Sequence, residues 1–125
     1  MAKISDVNAI QVFDSRGVPT ISCKITLDNG ISASSMVPSG ASTGSKESLE
    51  LRDNEASYHG KGVLKAVSNI KNKLKPLILG LNPANQLEID QILIDFDGTE
   101  DKSKIGANSI LAISWVSGTI SAILN

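Results

Sequence analysis

The chain has 125 residues, of which 41% are hydrophobic and 20% are charged, a composition typical of one folded domain. Twelve basic and thirteen acidic side chains leave a formal net charge of −1. This balance argues against nucleic acid or an anionic membrane as a partner, because both are bound through an excess of basic residues. The single cysteine, Cys23, excludes a disulfide within the chain.

The first forty residues carry the signals of three β-strands. Apolar and polar side chains alternate from residue 21 to residue 27, which is the period of a strand with one buried face. Asn29-Gly30 follows and predicts a tight hairpin turn, since this pair favours positive φ angles. A second strand continues to Pro38, and the β-branched stretch 4–13 predicts a third. We therefore expect a three-stranded antiparallel β-meander.

Beyond the strands, the apolar residues recur with the period of helices. The first predicted helix ends at Pro76, and Asn82-Pro83 predicts the start of the next, with asparagine as the cap and proline at the first helical position. Asp97-Gly98 predicts its end. The apolar faces are Val63, Val67, Ile70 and Leu74 on the first helix and Ile89, Ile92, Leu93 and Phe96 on the second. Strands followed by helices indicate an α+β fold, a meander followed by a helical bundle.

The uncharged stretch from residue 105 to residue 125 predicts the last helix. Its length would allow it to cross a bilayer, but polar residues such as Asn108, Ser109 and Ser117 interrupt it. We therefore expect a buried core helix and no membrane span. The pattern runs to Asn125 without a capping signal, so we expect the chain to be a piece of a longer protein.

The segment between Pro38 and Gly62 has the least regular pattern and is the candidate functional loop. Residues 39–44 read Ser-Gly-Ala-Ser-Thr-Gly, and small side chains of this kind let the backbone approach a ligand closely. Taken alone, such a stretch is more often a plain glycine-serine turn. Three chemistries fit parts of it.

The first chemistry is a serine nucleophile, because residues 40–44 match the pattern G-x-S-x-G. It is rejected, since that motif requires a large α/β sheet and a well-placed histidine, and the only histidine, His59, follows Ser42 by seventeen positions. A phosphate-binding P-loop is rejected because the two glycines are one residue too close and Glu47 stands where the motif has serine or threonine. The third is a loop that offers one serine oxygen to Mg²⁺, a role open to Ser42.

Short blocks spread along the chain resemble the enolase family in sequence and in order. Three of them are Phe13-Asp14-Ser15-Arg16-Gly17, Val37-Pro38-Ser39-Gly40-Ala41-Ser42-Thr43-Gly44 and Glu50-Leu51-Arg52-Asp53. Others are Gly60-Lys61-Gly62-Val63, Asp97-Gly98-Thr99, Lys102-Ser103-Lys104 and Gly106-Ala107-Asn108. Each block is weak alone, but together they indicate the amino-terminal domain of an enolase. Ile10, Val18 and Ser22 depart from residues that often contribute to the family's dimer contacts.

The resemblance implies that the parent enzyme is a phosphopyruvate hydratase of glycolysis. Enolases dehydrate 2-phosphoglycerate to phosphoenolpyruvate with two Mg²⁺ ions per active site, a lysine base and a glutamate acid. In the family these residues and most metal ligands lie on a carboxy-terminal barrel, and such barrels take about 250 residues. We therefore expect residues 1–125 to form a single amino-terminal domain, cut before the barrel, with no catalytic residue of its own.

By resemblance, Gly40, Ala41, Ser42 and Thr43 form a lid that closes on the substrate, and Ser42 ligates the second Mg²⁺. The resemblance also implies contact with the chain's own barrel, a homodimer or other homo-oligomer at full length, and a cytoplasmic location, with secondary display at the cell surface in some members. The chain alone is expected to be inactive. The alternative is a stand-alone, non-catalytic binding module that retained the lid domain without the barrel.

Three other residues have simpler expected roles. Arg16 is expected to form a structural ion pair with a nearby carboxylate. Cys23 is expected to be a small core residue, as buried free cysteines usually are. His59 is expected to be a surface or packing residue.

Overall fold

The computed structural model describes residues 2–37, 51–54, 62–98 and 104–124. Three strands come first and form one antiparallel sheet in chain order: β1 (Ile4–Phe13), β2 (Pro19–Leu27) and β3 (Ser32–Met36). The helices that follow are α1 (Leu64–Asn69), α2 (Lys75–Ile78), α3 (Gln86–Asp97) and α4 (Ala107–Leu124), with a π-helical turn, Ile70–Leu74, between α1 and α2. The described residues therefore have the predicted α+β fold, a meander followed by helices, and include no barrel.

The central strand β2 supplies the buried face of the sheet, as its alternation predicts. Its four inward side chains are at most 1% exposed, and they are Ile21, Cys23, Ile25 and Leu27. Cys23 pairs with Ala9 of β1 on one side and with Ser35 of β3 on the other. A shift of one residue would turn every inward side chain to solvent, so burial of this face fixes the register.

The turn between β2 and β3 lies where Asn29-Gly30 predicts it, but it has a different type. The amide of Gly30 donates to the carbonyl of Leu27 at 3.0 Å, and the amide of Leu27 donates to the carbonyl of Ile31 at 2.8 Å. Gly30 has a φ of 88°, whereas Asn29 does not have a positive φ. A single left-handed glycine therefore closes a loop longer than the two-residue turn.

The helices cover one face of the sheet. Helix α4 packs against β2 and β3, while α1, the π-helical turn and α2 pack against β1. Helix α3 packs on α4 and α2. The predicted apolar face of the first helix is confirmed, because Val63, Val67, Ile70 and Leu74 are all buried.

The predicted end of the first helix at Pro76 is wrong. The backbone stays helical to Ile78, and Pro76 lies in the first turn of α2. In the preceding π-helical turn the amide of Lys75 donates to the carbonyl of Ile70, five residues back. Pro76 lies in the first turn of α2, where the amide that proline lacks would have no partner within the helix. The wider π-helical turn before it also relieves the usual clash between the proline ring and the preceding turn, so the helix does not end there.

The predicted start of α3 at Asn82-Pro83 is also wrong, since the helix begins at Gln86 with Asn85 as its cap residue. The side chain of Asn82 instead accepts a hydrogen bond from the amide of Ala84 at 2.9 Å. Asparagine before proline often forms such a local turn, which competes with helix capping. The predicted end is confirmed: α3 stops at Asp97, and Gly98 follows in the left-handed region with a φ of 69°.

Helix α4 is long and apolar enough to cross a membrane by length and composition, yet half of it is buried within the domain. Buried Ile113, Val116 and Ile120 belong to the same core as β2. Such burial is typical of a core helix. Trp115 and Ile123 lie on its outward side, 44% and 56% exposed.

Candidate functional site

The predicted lid residues Gly40, Ala41, Ser42 and Thr43 lie outside the described residues, as does His59. The structure does describe Val37, the last residue before this segment, and residues 51–54, which follow it. Val37 is called the first attachment point below, and residues 51–54 are called the second. The structure defines the candidate site only through the contacts of these two attachment points.

The first attachment point is fixed to β2. The amide of Val37 donates to the carbonyl of Ile21 at 2.9 Å. The hydroxyl of Thr20 donates to the carbonyl of Val37 at 2.7 Å. Val37 and Thr20 are both buried, so these two bonds are shielded from water.

The second attachment point is fixed by side chains from elsewhere in the fold. The side-chain amide of Asn108 in α4 accepts a hydrogen bond from the amide of Leu51 at 2.9 Å and donates one to its carbonyl at 3.1 Å. The guanidinium of Arg52 donates to the carbonyl of Pro19 at 2.6 Å. Both attachment points therefore contact the first three residues of β2.

Asp53 links the second attachment point to the start of α1. Its carboxylate oxygens accept hydrogen bonds from the amides of Leu64 at 3.0 Å and Lys65 at 2.9 Å. The residue at the cap position, Val63, has no side chain that could do this. Asp53 thus caps α1 from eleven residues upstream, and its negative charge is favourable at a helix N-terminus.

Gly62 and Gln11 complete this junction. A Cβ atom on Gly62 would lie 2.6 Å from a carboxylate oxygen of Asp53, so any side chain at position 62 would displace the cap. The amide of Asp53 donates to the carbonyl of Gly62 at 2.8 Å. The amide of Val63 donates to the side chain of Gln11 in β1 at 2.9 Å. Residues 51–54 are therefore tied to β2, α1 and α4, and Val63 ties the start of α1 to β1.

The expected role of Arg16 is confirmed. Its guanidinium lies 3.5 Å from the carboxylate of Asp14, which also accepts hydrogen bonds from the amides of Arg16 and Val18. These contacts close the turn between β1 and β2. Arg16 is thus part of a structural turn.

Cys23 is a core residue, as expected, with no exposed surface. Burial raises the pKa of its thiol to about 12, because the charged thiolate would be separated from water. A thiol of this kind is not a nucleophile near neutral pH.

Within residues 2–37, 51–54, 62–98 and 104–124, no three side chains of the His, Cys, Asp and Glu types come close enough to hold a metal ion.

Farther from the attachment points, the ammonium of Lys75 lies 2.6 Å from the carboxylate of Asp6. Its hydrogen bond and charge lower the pKa of Asp6. This ion pair joins α2 to β1 and has no metal-binding geometry.

Comparison with known families agrees with this fold. The family model of the enolase N-terminal domain matches residues 4–124, which is nearly the whole chain. The chain belongs to the enolase family. Its match to the family includes both attachment points and the segment between them.

Individual enolases are similar at high identity. The chain is 55% identical over 112 residues to the enolase of Mycoplasmoides gallisepticum, covering 90% of this chain and 24% of that protein. It is 53% identical over 114 residues to the enolase of Mycoplasma genitalium, covering 90% and 25%. It is 50% identical over 114 residues to enolase 1 of Methylococcus capsulatus, covering 90% and 27%. The chain thus spans about a quarter of the length of these relatives.

Sequence reasoning missed the residues that hold the attachment points. Leu51, Asp53, Gly62 and Asn108 all lie in blocks that resemble enolases, yet their pattern assigns them no structural role. Asp53 and Asn108 act on residues 11 and 57 positions away. Capping rules search only the residues next to a helix, so they do not find such partners. One usable signal is Gly62, a glycine immediately before an apolar helical pattern.

Proposed function

We propose that this chain is the amino-terminal domain of a phosphopyruvate hydratase that dehydrates 2-phosphoglycerate to phosphoenolpyruvate with Mg²⁺. The observation that carries the proposal is 50–55% identity, over 90% of this chain, to proteins named enolase. The α+β fold alone would not support an activity, because one fold serves many functions.

In the proposed enzyme, the proton transfers belong to a carboxy-terminal barrel that this chain does not contain. The lysine base, the glutamate acid and most ligands of the two Mg²⁺ ions lie there in the family. The contribution of this domain is to close residues 40–43 over the substrate. Closure of that kind excludes water and completes a site, so it affects turnover without taking part in proton transfer.

Ser42 is the proposed Mg²⁺ ligand of this chain. The donor chemistry fits, because Mg²⁺ prefers hard oxygen ligands and takes only one or two from the protein beside substrate oxygens and water. The serine hydroxyl and carbonyl oxygens are donors of this type. Bound Mg²⁺ supplies positive charge that stabilises the substrate carboxylate as it gains negative charge.

The two attachment points support a closing role for the segment between them. Residues 38–50 make up thirteen positions, and the chain on either side contacts residues 19–21. Surface loops of about 6–16 residues whose ends lie close together are frequently functional.

The remaining proposals follow from family membership. We place the reaction in the cytoplasm, where a free thiol such as Cys23 is stable. We also propose that the full-length enzyme is a homo-oligomer, and that this domain packs against its own barrel.

A chimera tests the proposed function. Residues 1–125 replace the matching quarter of the Mycoplasma genitalium enolase, and phosphoenolpyruvate formation is measured against Mg²⁺ concentration. We expect the chimera to be active and Mg²⁺-dependent, and the chain alone to be inactive. Ser42→Ala in the chimera should lower turnover and raise the Mg²⁺ concentration needed for half-maximal rate.

Ser45→Ala is the matched control, since it removes a hydroxyl from the same segment at a position with no proposed role. A chimera that folds but shows no activity would contradict the proposal and favour the stand-alone binding module. A Ser42→Ala chimera with the same Mg²⁺ dependence as the Ser45→Ala chimera would contradict the proposed ligand.

A further inference from the structure

The amide side chain of Asn108 contacts both backbone polar groups of Leu51, across 57 positions of sequence. It accepts from the Leu51 amide at 2.9 Å and donates to the Leu51 carbonyl at 3.1 Å, as a neighbouring strand would. Asn108 is only 2% exposed, so water does not compete for these bonds. Leu51 therefore has one preferred position relative to α4.

Gly106 makes this close approach possible. A Cβ atom there would lie 2.5 Å from the Cβ of Leu51 and 2.7 Å from the side-chain oxygen of Asn108. Gly106 also has a φ of 99°, a conformation that favours glycine. The missing side chain of Gly106 leaves room for Leu51 beside the start of α4, and the positive φ is a second reason why glycine stands at this position.

The start of α4 is itself firmly held. The carboxylate of Asp97, at the end of α3, accepts a hydrogen bond from the amide of Ile105 at 2.6 Å. The hydroxyl of Ser109 in α4 donates to the carbonyl of Ala66 in α1 at 3.2 Å. Asn108 thus projects from a base fixed to α1 and α3.

The attachment at Val37 does not depend on α4, because it is made through Thr20 and Ile21 of β2. The attachment at Leu51 depends on Asn108. We propose that Asn108 is a positioning residue that sets, through Leu51, the place where the chain returns to the domain after residues 40–43. The functional part of this inference rests on the proposed function. The pair of hydrogen bonds between Asn108 and Leu51, called the clamp below, does not rest on it.

Hydrogen exchange of the 125-residue chain tests the clamp. Asn108→Ala should raise the exchange rates of the Leu51 and Asp53 amides at least about tenfold, because the fixed position of residues 51–54 is lost. Asn69→Ala is the matched control, since it removes a side-chain bond to the same stretch before α4 without contacting Leu51. Unchanged exchange in Asn108→Ala, or an equal rise in Asn69→Ala, would overturn the clamp. If Asn108→Ala does not fold, Asn108→Leu gives the same test, because it keeps a similar side-chain volume and loses both the acceptor and the donor.

Kinetics of the chimera test the positioning role. Asn108→Ala should raise the Mg²⁺ concentration needed for half-maximal rate, and the KM, by about three- to tenfold, while the Asn69→Ala chimera stays within about twofold of the parent. Equal effects of the two substitutions would show a merely structural role and overturn the proposal. An inactive parent chimera would overturn the proposed function and the positioning role together, and the exchange experiment would still decide the clamp separately.

Discussion

The carboxylate of Asp53 lies 3.0 Å from the backbone amide of Leu64, and this contact makes an aspartate outside the helix the cap of α1. The second carboxylate oxygen accepts from the amide of Lys65 at 2.9 Å. Two of the four amides that a helix start leaves without a partner are thereby satisfied. Asp53 also belongs to the second attachment point, residues 51–54. One side chain therefore both caps α1 and holds this attachment point in place.

Asp53→Ala is expected to lower the free energy of unfolding by about 1–2 kcal/mol, the usual effect of losing a charged cap. Urea-induced unfolding of the 125-residue chain measures this change. Asp28→Ala is the control, because Asp28 also accepts one backbone amide bond, from Lys3 at 3.1 Å, at an exposed site away from any helix. The control should change stability by less than about 0.5 kcal/mol. Equal losses in both variants would mean that Asp53 does not act as a cap.

Gly106→Ala is expected to destabilise the chain more than Gly30→Ala. Both glycines have positive φ angles, 99° and 88°, so both substitutions introduce similar backbone strain of about 1–2 kcal/mol. A Cβ at position 30 meets nothing within 4 Å, whereas one at position 106 would lie 2.5 Å from the Cβ of Leu51. Crowding in a packed site adds about 1–3 kcal/mol.

Thermal and urea unfolding of the two alanine variants separate strain from crowding. Gly106→Ala should also loosen residues 51–54, since relief of the contact moves Leu51 away from Asn108. Gly30→Ala should leave those residues unchanged. Equal stability of the two variants would show that position 106 tolerates a side chain and that the close approach has no energetic weight.

Local periodicity predicted the sheet and the buried face of the first helix correctly, because burial of one face is a property of neighbouring residues. On α3 the prediction was right for Ile89 and Leu93 and wrong for Phe96, which is 37% exposed. The alternation around Cys23 defined the inward side of β2, and Gly98 marked the end of α3. The errors at the two helix ends arose from local signals with more than one outcome. Pro76 is tolerated after a π-helical turn, and Asn82 caps a turn in place of a helix.

The attachment points could not be predicted from local patterns. Asn108 lies 57 positions from Leu51, and only the packing of α4 beside the sheet brings them together. A resemblance supplied the residues 40–43 as the candidate site, and their role stays a prediction. Periodicity describes neighbouring residues only, so it does not predict how a side chain distant in sequence, such as Asn108, positions Leu51.

Stability of the chain should fall at alkaline pH because of Cys23. Burial raises the pKa of its thiol from an ordinary 9.0 to about 12, so the folded protein keeps a proton that the unfolded chain loses. This contribution is complete below pH 9.0 and is lost as the pH rises from there toward about 12. The full loss is about 4 kcal/mol at most.

Urea unfolding at a series of pH values from 7 to 11 measures this slope. In Cys23→Ala the part of the slope due to the thiol should disappear, while every other contribution to the slope is common to both proteins. Between pH 7 and pH 8 the two proteins should differ by a constant amount, since the thiol is protonated in both states. Parallel curves up to pH 11 would show that the thiol does not ionise on unfolding.

The outward side of α4 should cause the isolated chain to self-associate. Trp115 and Ile123 are 44% and 56% exposed and lie two turns apart on a helix that carries no charge. Exposed apolar surface of this kind favours association, because contact removes it from water. Burying one such side chain contributes about 1.5–3 kcal/mol, so Ile123→Glu should weaken association by about tenfold or more.

Sedimentation velocity over a range of concentrations measures the association. Leu87→Glu is the control, because Leu87 is 87% exposed on α3 and carries the same change of chemistry to a different surface. The control should associate like the parent chain. If both variants associate equally weakly, added negative charge is the cause and α4 is not the contact surface. If only Ile123→Glu becomes monomeric, α4 is the surface that requires cover, and in the proposed full-length enzyme its cover would come from the barrel.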